Sequence, residues 1–269
     1  MKFNGLNVRI GKQVKLGKNV EIGDDTIIYD NVTIGDNTII SNHCIIGEPA
    51  NAYYQDRKNY QQKETIIGEN SLIRSHTIIY AGNELGHHFS TGHFVVLREN
   101  NTFGNYCNVG TRSEIHGYVT VGNYARLHSN VSLGQRTQVG NFVFLAPYVG
   151  TTDDPLPPSM IALPSQIGDF SILAAHVTLA PNVKIGKHCM IGLKSTVNRD
   201  ISDFSLAVGS SARRIMDIRV MKSPHFQGNY YPWMYQFSRG LPWHEIGFDA
   251  WAMANGVEIP PKLEPITIS

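Results

Sequence analysis

The sequence has little that points to a membrane, a nucleic acid or a disulfide framework. It contains three cysteines, its formal net charge is +1, and 17% of its residues are charged. A charge so near zero does not favour a nucleic-acid partner, which requires clustered Lys and Arg. No run approaches the roughly 20 apolar residues that span a bilayer, and the start lacks the apolar core of a signal peptide. We therefore expect a cytoplasmic protein with neither a membrane nor a nucleic acid as partner.

Motifs of several common enzyme classes are missing too. The sequence has no GxSxG, no Walker A motif and no GxGxxG, so it lacks the usual support for a serine hydrolase, an NTPase or a dinucleotide-binding enzyme. The cysteines are too far apart for a metal motif. His87 and His93, in GHHFSTGH, fall on different corners of the repeat described next. We expect no metal, because zinc ligands must meet at about 2 Å from one ion.

The feature that dominates the sequence is a period of six. An apolar residue recurs at every sixth position from Ile10 to Ile46, from Ile67 to Leu145 and from Ile167 to Val197, with Thr91 as the polar exception. This period fits neither a helix nor strands joined by hairpins. It predicts short parallel strands joined by tight turns, three strands per coil, so that residues 18 apart stack about 4.8 Å apart. The cysteines fall two residues before such positions, where we expect small buried side chains.

The units IGKNVEIGDD, TIGDNTII and KIGKHCMIG resemble the repeats of the hexapeptide-repeat acyltransferase family. The resemblance covers about residues 8 to 215. It implies an all-β fold, a left-handed parallel β-helix of about nine coils, and a homotrimer with active sites between neighbouring subunits. We expect the β-helix to span residues 1–215, with loops at 48–64 and 147–166.

The last part of the chain, residues 216–269, leaves the repeat and is rich in Trp and Tyr. Apolar spacing from Trp243 to Met253 predicts a short helix. We expect this partly helical tail to cap the last coil, whose open end would otherwise expose strand edges and core.

The 18-residue stacking sorts the repeats into three corners, one of which follows a strict rule. It has Gly after the apolar residue and, in several coils, Asn and an aromatic ring next, as in Gly104-Asn105-Tyr106. Because Gly and Asn tolerate left-handed backbone, this corner is interpreted as a structural turn. Large polar residues break the rule elsewhere, which makes those corners functional candidates. They are Arg74 and His128 at one corner, and Tyr80, Arg98 and His116 at the other.

Acyl transfer requires a nucleophile, an acceptor for its proton and donors for the oxyanion. Glu114 points outward from a strand face between apolar and small neighbours, and His128 breaks a corner. We assign Glu114 and His128 as catalytic candidates that orient an amine and accept its proton. The repeat places them more than one side-chain length apart, so they share a site only across a subunit boundary. Solvated surface positions or an intersubunit ion pair explain the same residues.

The first loop, residues 48–64, combines Tyr53 and Tyr54 with Arg57. Aromatic rings stack on a base and cations meet a diphosphate, which suits a nucleotide-sugar. These three residues, with Arg98 and His116, are the substrate-binding candidates. A plain surface loop or a subunit clasp explains the same composition.

Two further segments resemble parts of sugar-nucleotide N-acetyltransferases. TTDDPLPPS resembles their TNDPxPP loop, and FSLAVGSSARRI resembles the family's closing SLAVGNPARVI segment. In the family, this closing segment and the last coils bind coenzyme A. The resemblance therefore assigns Ala174, Ala180, Lys194, Arg213 and Arg214 to coenzyme A, with backbone N–H groups near the two alanines as oxyanion donors. Simple solvation is the other explanation for the three cations.

The resemblance as a whole implies an acyl-CoA-dependent sugar N-acyltransferase. It would move an acetyl group from acetyl-CoA to the amine of a nucleotide-linked, dTDP-type, amino-deoxy sugar. IGEP followed by KETIIGENSLIR also resembles the UDP-N-acetylglucosamine acyltransferase of lipid A synthesis, which uses acyl carrier protein. That enzyme has a His followed directly by an acid, whereas His128 is followed by Ser129. A non-catalytic scaffold is the third alternative, but it would keep Gly at every corner.

Overall fold

The computed structural model of the protein describes residues 5–222 and 229–261. The chain winds into three parallel β-sheets that form the sides of a solenoid and are named here sheets 1, 2 and 3. Residues 18 apart pair directly, as Glu114 does with Val96 and Ser132. The predicted all-β parallel solenoid is confirmed.

The strands are short and the sheets are long. Sheet 1 consists of Arg9–Ile10, Ile27–Ile28, Ile45–Glu48, Ile78–Tyr80, Val96–Leu97, Glu114–Ile115, Ser132–Leu133, Gly150–Thr151, Thr178–Leu179 and Thr196–Val197. Sheet 2 consists of Lys15–Leu16, Val32–Ile34, Thr65–Ile67, Glu84–Leu85, Thr102–Phe103, Thr120–Val121, Gln138–Val139, Gln166–Ile167 and Lys184–Ile185. Sheet 3 consists of Glu21–Ile22, Ile39–Ile40, Leu72–Ile73, Ser90–Thr91, Asn108–Val109, Arg126–Leu127, Phe144–Leu145, Ile172–Leu173, Met190–Ile191, Ser205–Gly209 and Ala212–Asp217.

Helices are few in the described residues. The α-helices are Asn51–Gln55 and Phe248–Ala254, and the 3-10 helices are Ile218–Val220 and Trp233–Tyr235. None of these described helices has the length and apolar character needed to cross a membrane.

The predicted apolar positions point inward and form one continuous core. The polar exception, Thr91, is buried as well, and its hydroxyl accepts a hydrogen bond from the backbone N–H of Arg74 at 2.9 Å. Thr151 repeats this arrangement by accepting from the N–H of Gly134 at 2.8 Å. A threonine inside the solenoid is therefore stabilised by backbone hydrogen bonds rather than by apolar contacts.

The repeat extends further than predicted. Its three sheets have ten, nine and eleven strands, so the estimate of about nine coils was too low. One reason is Thr151, whose strand still pairs with neighbouring coils although the residue is polar. The second loop consequently occupies 152–165 rather than 147–166, whereas the first occupies 49–64, close to the predicted 48–64.

The three corners are named by the sheets that they join. Corner A leads from sheet 1 to sheet 2, corner B from sheet 2 to sheet 3, and corner C from sheet 3 to sheet 1. Corner B is the one with the strict Gly rule, but the predicted reason for the glycines was wrong. The residue with left-handed backbone is the aromatic one, as Tyr124 shows with φ 57°, and not the glycine. Gly122 is required because a Cβ there would lie 2.7 Å from the backbone nitrogen of Asn141 in the next coil.

The tail packs along the side of the solenoid. Trp233, Trp243 and Phe248 form a second apolar cluster with Phe142 and Phe170 of corner B. The predicted helix is shorter than Trp243 to Met253 and begins at Phe248. The antiparallel pair Ser205–Gly209 and Ala212–Asp217 completes sheet 3 at the last coil, so Met216 and Asp217, the first residues of the predicted tail, lie at that end. Residues 223–228 and 262–269 of the predicted tail lie outside the described residues.

Candidate functional site

Corner A combines the features expected of a site. Both loops, 49–64 and 152–165, leave the solenoid there, because each follows a strand of sheet 1 and precedes one of sheet 2. The coils between the loops carry Tyr80, Arg98 and His116 where corner B has glycine. Large side chains thus stack on one edge between two projecting loops.

The large side chains of corner A form two groups of contacts, one around Arg98 and one around His116. The Nε atom of Arg98 donates to Oε2 of Glu99 at 3.0 Å, and its guanidinium lies over the ring of Tyr80, 5.2 Å from the centroid. Nε2 of His116 lies 3.9 Å from Oε1 of Glu114. We call these five residues (Tyr80, Arg98, Glu99, Glu114 and His116) the corner strip. It offers a cation, two carboxylates and an imidazole to a ligand on the outer surface.

Two buried asparagines hold the corner strip from inside. Nδ2 of Asn83 donates to the carbonyls of Tyr80 and Arg98 at 2.7 and 2.8 Å, and Nδ2 of Asn101 donates to the carbonyl of Arg98 at 2.7 Å. Oδ1 of Asn101 accepts from the N–H of Val119 at 2.7 Å. Elsewhere a Ser or Thr hydroxyl bonds the corner carbonyl, as Ser171 does with Gly186. Sequence reasoning missed both asparagines, although each stands where small residues are usual.

The first loop is anchored beside the corner strip. Nζ of Lys63 donates to Oδ1 of Asn100 at 2.8 Å, directly after Glu99. Tyr53 packs against Tyr60 and under the guanidinium of Arg57, at 5.4 and 5.3 Å between centres. Two of the predicted substrate-binding residues of this loop, Tyr53 and Arg57, therefore contact each other.

Tyr54 is more available than Tyr53. Its ring is exposed, and its hydroxyl donates to Oε1 of Glu48 at 2.8 Å. This hydrogen bond to a carboxylate raises the pKa of Tyr54 to about 12. The Tyr54 ring is therefore neutral at physiological pH, and it remains 53% exposed although it meets Tyr53 edge to face at 5.0 Å between centroids.

The second loop is built around its acidic residues. Asp154 accepts hydrogen bonds from the backbone of Leu156 and from the backbone and hydroxyl of Ser159, which lowers the pKa of its carboxyl. Oδ2 of Asp153 accepts from the N–H of Gln135 at 3.3 Å, which joins the loop to corner A. The acids of TTDDPLPPS thus shape the loop at the upper end of the corner strip.

His128 lies on corner C and not with Glu114. Its side chain is exposed, and its ring meets the edge of Phe144 at 6.2 Å between centroids. The imidazole beside Glu114 in the same chain is that of His116. Sequence reasoning had assigned His116 to substrate binding; its place two residues after Glu114 on the same turn was the available signal.

The predicted coenzyme A residues are spread over several surfaces. Ala174 lies on corner C and Ala180 on corner A, at opposite edges of sheet 1. The backbone N–H of Lys194 donates to the carbonyl of Ala175 at 3.0 Å, so Lys194 stacks on the coil of Ala174. Arg213 and Arg214 follow one another on a strand and therefore point to opposite faces. Arg214 pairs with Asp217 at 3.4 Å, whereas Lys194 and Arg213 form no ion pair with the described residues.

The histidines considered for a metal are separate in the structure. His87 lies near Glu69 on corner B, and His93 bonds to the hydroxyl of Ser75 on corner C. Within residues 5–222 and 229–261, no three His, Cys, Asp or Glu side chains are placed to share an ion.

Comparisons with known proteins agree with this architecture. The family described as bacterial transferase hexapeptide (six repeats) matches residues 13–48, and the hexapeptide repeat of succinyl-transferase matches residues 182–202. The hexapeptide repeat is therefore confirmed, and the chain has the fold of hexapeptide-repeat acyltransferases. No curated protein matches the sequence significantly.

Solved structures show the same solenoid. The UDP-N-acetylglucosamine acyltransferase of Arabidopsis is 14% identical over 79% of this chain and 73% of its own, with a TM-score of 0.56. That of Campylobacter jejuni is 18% identical over 82% and 79%, with a TM-score of 0.48. PerB of Caulobacter crescentus, solved with CoA and GDP-perosamine, is 16% identical over 67% and 76%, with a TM-score of 0.27. The likeness to the Arabidopsis enzyme, at 14% identity, supports the fold alone.

Proposed function

We propose that this protein is an acyltransferase that moves an acetyl group from acetyl-CoA to the amino group of a dTDP-linked amino-deoxy sugar. The observation that carries the proposal is the Glu114–His116 pair on corner A, between the two loops. A purely structural corner would keep the glycine that close stacking of coils favours. Corner A instead presents a base and an acid on its outer surface, where a substrate has access.

The chemistry follows from this pair. His116 accepts the proton of the sugar amine as its nitrogen attacks the thioester carbonyl, and Glu114, 3.9 Å from its ring, orients the imidazole. The C–N bond forms, the C–S bond breaks, and the departing thiolate takes the proton from His116. Backbone N–H groups of the coils of Ala174 or Ala180 stabilise the oxyanion.

The remaining residues position the substrates. Tyr54 and Arg57 of the first loop take the base and diphosphate of the nucleotide, and Arg98 faces the sugar. Lys194 and Arg213 take the phosphates of coenzyme A. The protein works as a homotrimer in the cytoplasm, and His128 of a neighbouring subunit adjoins the site.

Substitution of the pair tests the proposal. His116→Asn lowers kcat by about 10²-fold or more, since a general base is worth roughly 10² to 10⁴-fold, and Glu114→Gln lowers it less. The loss in His116→Asn diminishes as pH rises, because a deprotonated amine no longer needs a base. The measurement is acetyl transfer to a dTDP-amino sugar between pH 6 and 9.

The matched control is His87→Asn, which removes an exposed His from a similar pair at 3.9 Å from Glu69 on corner B. It leaves kcat unchanged. If His116→Asn keeps the wild-type kcat at every pH, corner A does not contain the catalytic base. A large loss in His128→Asn would then place the base on corner C.

A further inference from the structure

A cavity lies between sheet 3 and the tail, away from the corner strip. Its volume is about 360 Å³, toward the lower end of small-molecule sites. Its walls are almost entirely apolar apart from Arg126 and Gln236. The lining residues that matter below are Tyr124, Arg126, Phe144, Trp233, Gln236 and Leu241.

Arg126 is the half-buried cation of this cavity. Its Nη2 atom donates to the carbonyls of Arg239 and Gly240 at 2.7 and 3.2 Å, and its guanidinium lies over Phe237, 5.1 Å from the ring centre. The approach is close: a Cβ on Gly240 would lie 3.0 Å from that nitrogen. Arg126 thus fixes the tail to the solenoid through one nitrogen, while a guanidinium has five N–H donors.

The charge of Arg126 is not balanced by a carboxylate within residues 5–222 and 229–261. Burial and the nearby charge of Arg239 both lower the pKa of its guanidinium. Among the residues that the structure describes, no carboxylate forms an ion pair with Arg126 or Arg239. A cation in apolar surroundings is stabilised by an anion at hydrogen-bond distance. A half-buried cation that lines an apolar cavity and forms no ion pair within the described residues indicates that its anion comes from a ligand.

We propose that this cavity binds a carboxylic acid with an apolar body. The carboxylate receives the remaining N–H groups of Arg126, and the body packs against Tyr124, Phe144, Trp233 and Leu241. This site is distinct from the corner strip and does not depend on the proposed acetyl transfer. Because its ligand contacts both the tail and sheet 3, binding also holds the tail in place.

Calorimetric titration of the full chain tests the proposal with octanoate, 2-naphthoate and the neutral octan-1-ol. Octanoate or 2-naphthoate binds with one site per chain, at least about tenfold more tightly than octan-1-ol. The two acids distinguish an aliphatic from an aromatic body. Equal binding of acid and alcohol, or no binding of either acid, would overturn the proposal.

Charge changes at Gln236 make the test independent of folding, since Gln236 is exposed at the cavity. Gln236→Glu weakens octanoate binding severalfold and Gln236→Lys strengthens it, while octan-1-ol is unaffected. Gln138→Glu on the polar outer face of sheet 2 is the control and changes neither. Arg126→Gln abolishes octanoate binding, and Trp fluorescence reports whether its tail stays docked. If the affinity for octanoate is the same in Gln236→Glu, Gln236→Lys and the wild type, any bound acid lies outside this cavity.

Discussion

At the scale of single residues, close stacking of coils decides which side chains fit a corner. At corner B the left-handed position holds Tyr106, Tyr124 and Phe142, although an aromatic ring is unusual at positive φ. The cost is offset because each ring stacks on the next, 4.7 and 5.0 Å apart between centroids. Glycine, two residues earlier, provides the room for the backbone of the next coil.

Substitution of two glycines by alanine distinguishes the effect of a steric clash at Cβ from the effect of reduced backbone freedom. Gly122→Ala places a Cβ 2.7 Å from the nitrogen of Asn141, so it lowers the free energy of unfolding by about 1 to 3 kcal/mol. Gly150→Ala meets its nearest atom, the carbonyl oxygen of Ser132, at 3.9 Å and is neutral or slightly stabilising. Urea unfolding of both variants checks this. A Gly122→Ala protein as stable as Gly150→Ala would contradict the explanation by close contact.

Some residues of the candidate site could be predicted from the sequence, and others could not. The exceptional residues Arg98 and His116 were visible in the sequence, because they replace glycine at a regular position. The pairing of Glu114 with His116 had one signal in the sequence, their spacing of two residues, but this spacing does not by itself show that the two side chains meet. The burial of Cys107 was predicted correctly; burial raises the pKa of its thiol to about 12, and its Sγ bonds to the carbonyl of Gly122.

At the scale of elements, corner B is a ladder of rings that serves as the platform for the tail. It includes His88, Tyr106, Tyr124, Phe142, Phe170, His188 and Phe204. Phe142 of this ladder packs against Trp243 and Trp251 of the tail. The tail's position was not predictable from spacing, because the rings repeat every 18 residues or more and the tail joins them from far along the chain. The short helix was predictable in kind but not in its start.

Tail docking depends on pH through His188. Its imidazole is buried between Phe170 and Phe204 and bonded to the hydroxyl of Tyr231, and burial lowers its pKa to about 4. The unfolded state takes up this proton near pH 6.5 and the folded state does so near pH 4. The contribution of His188 to the free energy of unfolding is therefore fully present above about pH 6.5. As the pH falls from 6.5 to 4, the free energy of unfolding decreases by up to about 1.4 kcal/mol per pH unit.

The measurement is the free energy of unfolding against pH, from urea titrations of His188→Phe and the wild type. The variant loses the part of the slope due to this residue. His88→Phe is the control, because His88 is exposed in the same ladder and stacks on Tyr106. An unchanged slope in His188→Phe would mean that His188 is protonated equally in both states.

The first loop makes a separate prediction about the nucleotide. Tyr54→Ala raises the KM for the nucleotide-sugar by about tenfold, because base stacking is worth roughly 1 to 3 kcal/mol. Tyr53→Ala also raises it, partly by loosening the contacts with Tyr60 and Arg57. The KM for acetyl-CoA stays nearly constant in both. Tyr148→Ala, an exposed ring on corner C, is the control. An unchanged sugar KM in Tyr54→Ala would move the nucleotide site away from this loop.

At the scale of the whole molecule, the three sheets differ in their outer faces. Sheet 2 is polar outside, with Thr102, Thr120 and Gln138 exposed. Sheet 1 carries half-buried Ile78 and Val96 beside corner A. The period of six in the sequence predicts the solenoid itself, because it determines which residues point inward. It does not predict where loops, tail and neighbouring subunits lie on the outside.

The apolar part of sheet 1 predicts a trimer. Replacement of Ile78 and Val96 by Glu and Lys, respectively, is expected to dissociate the trimer and to abolish activity if the site lies between subunits, as we propose. Sedimentation at micromolar concentration gives the mass of three chains for the wild type and of one for the variant. Thr102→Glu with Thr120→Lys on sheet 2 leaves the trimer intact. A wild-type monomer at this concentration would refute a site shared between subunits.

Identification of the reaction product tests the proposed acetyl transfer most directly. The wild type and His116→Asn are incubated with acetyl-CoA and, in turn, dTDP-, UDP- and GDP-linked amino sugars, and the nucleotide-sugars are analysed by mass spectrometry and NMR. We expect an acetyl group on the sugar nitrogen, formed fastest with a dTDP-sugar and about 10²-fold more slowly by His116→Asn. Transfer to a sugar hydroxyl from acyl carrier protein alone, or no transfer with any donor and acceptor, would contradict it.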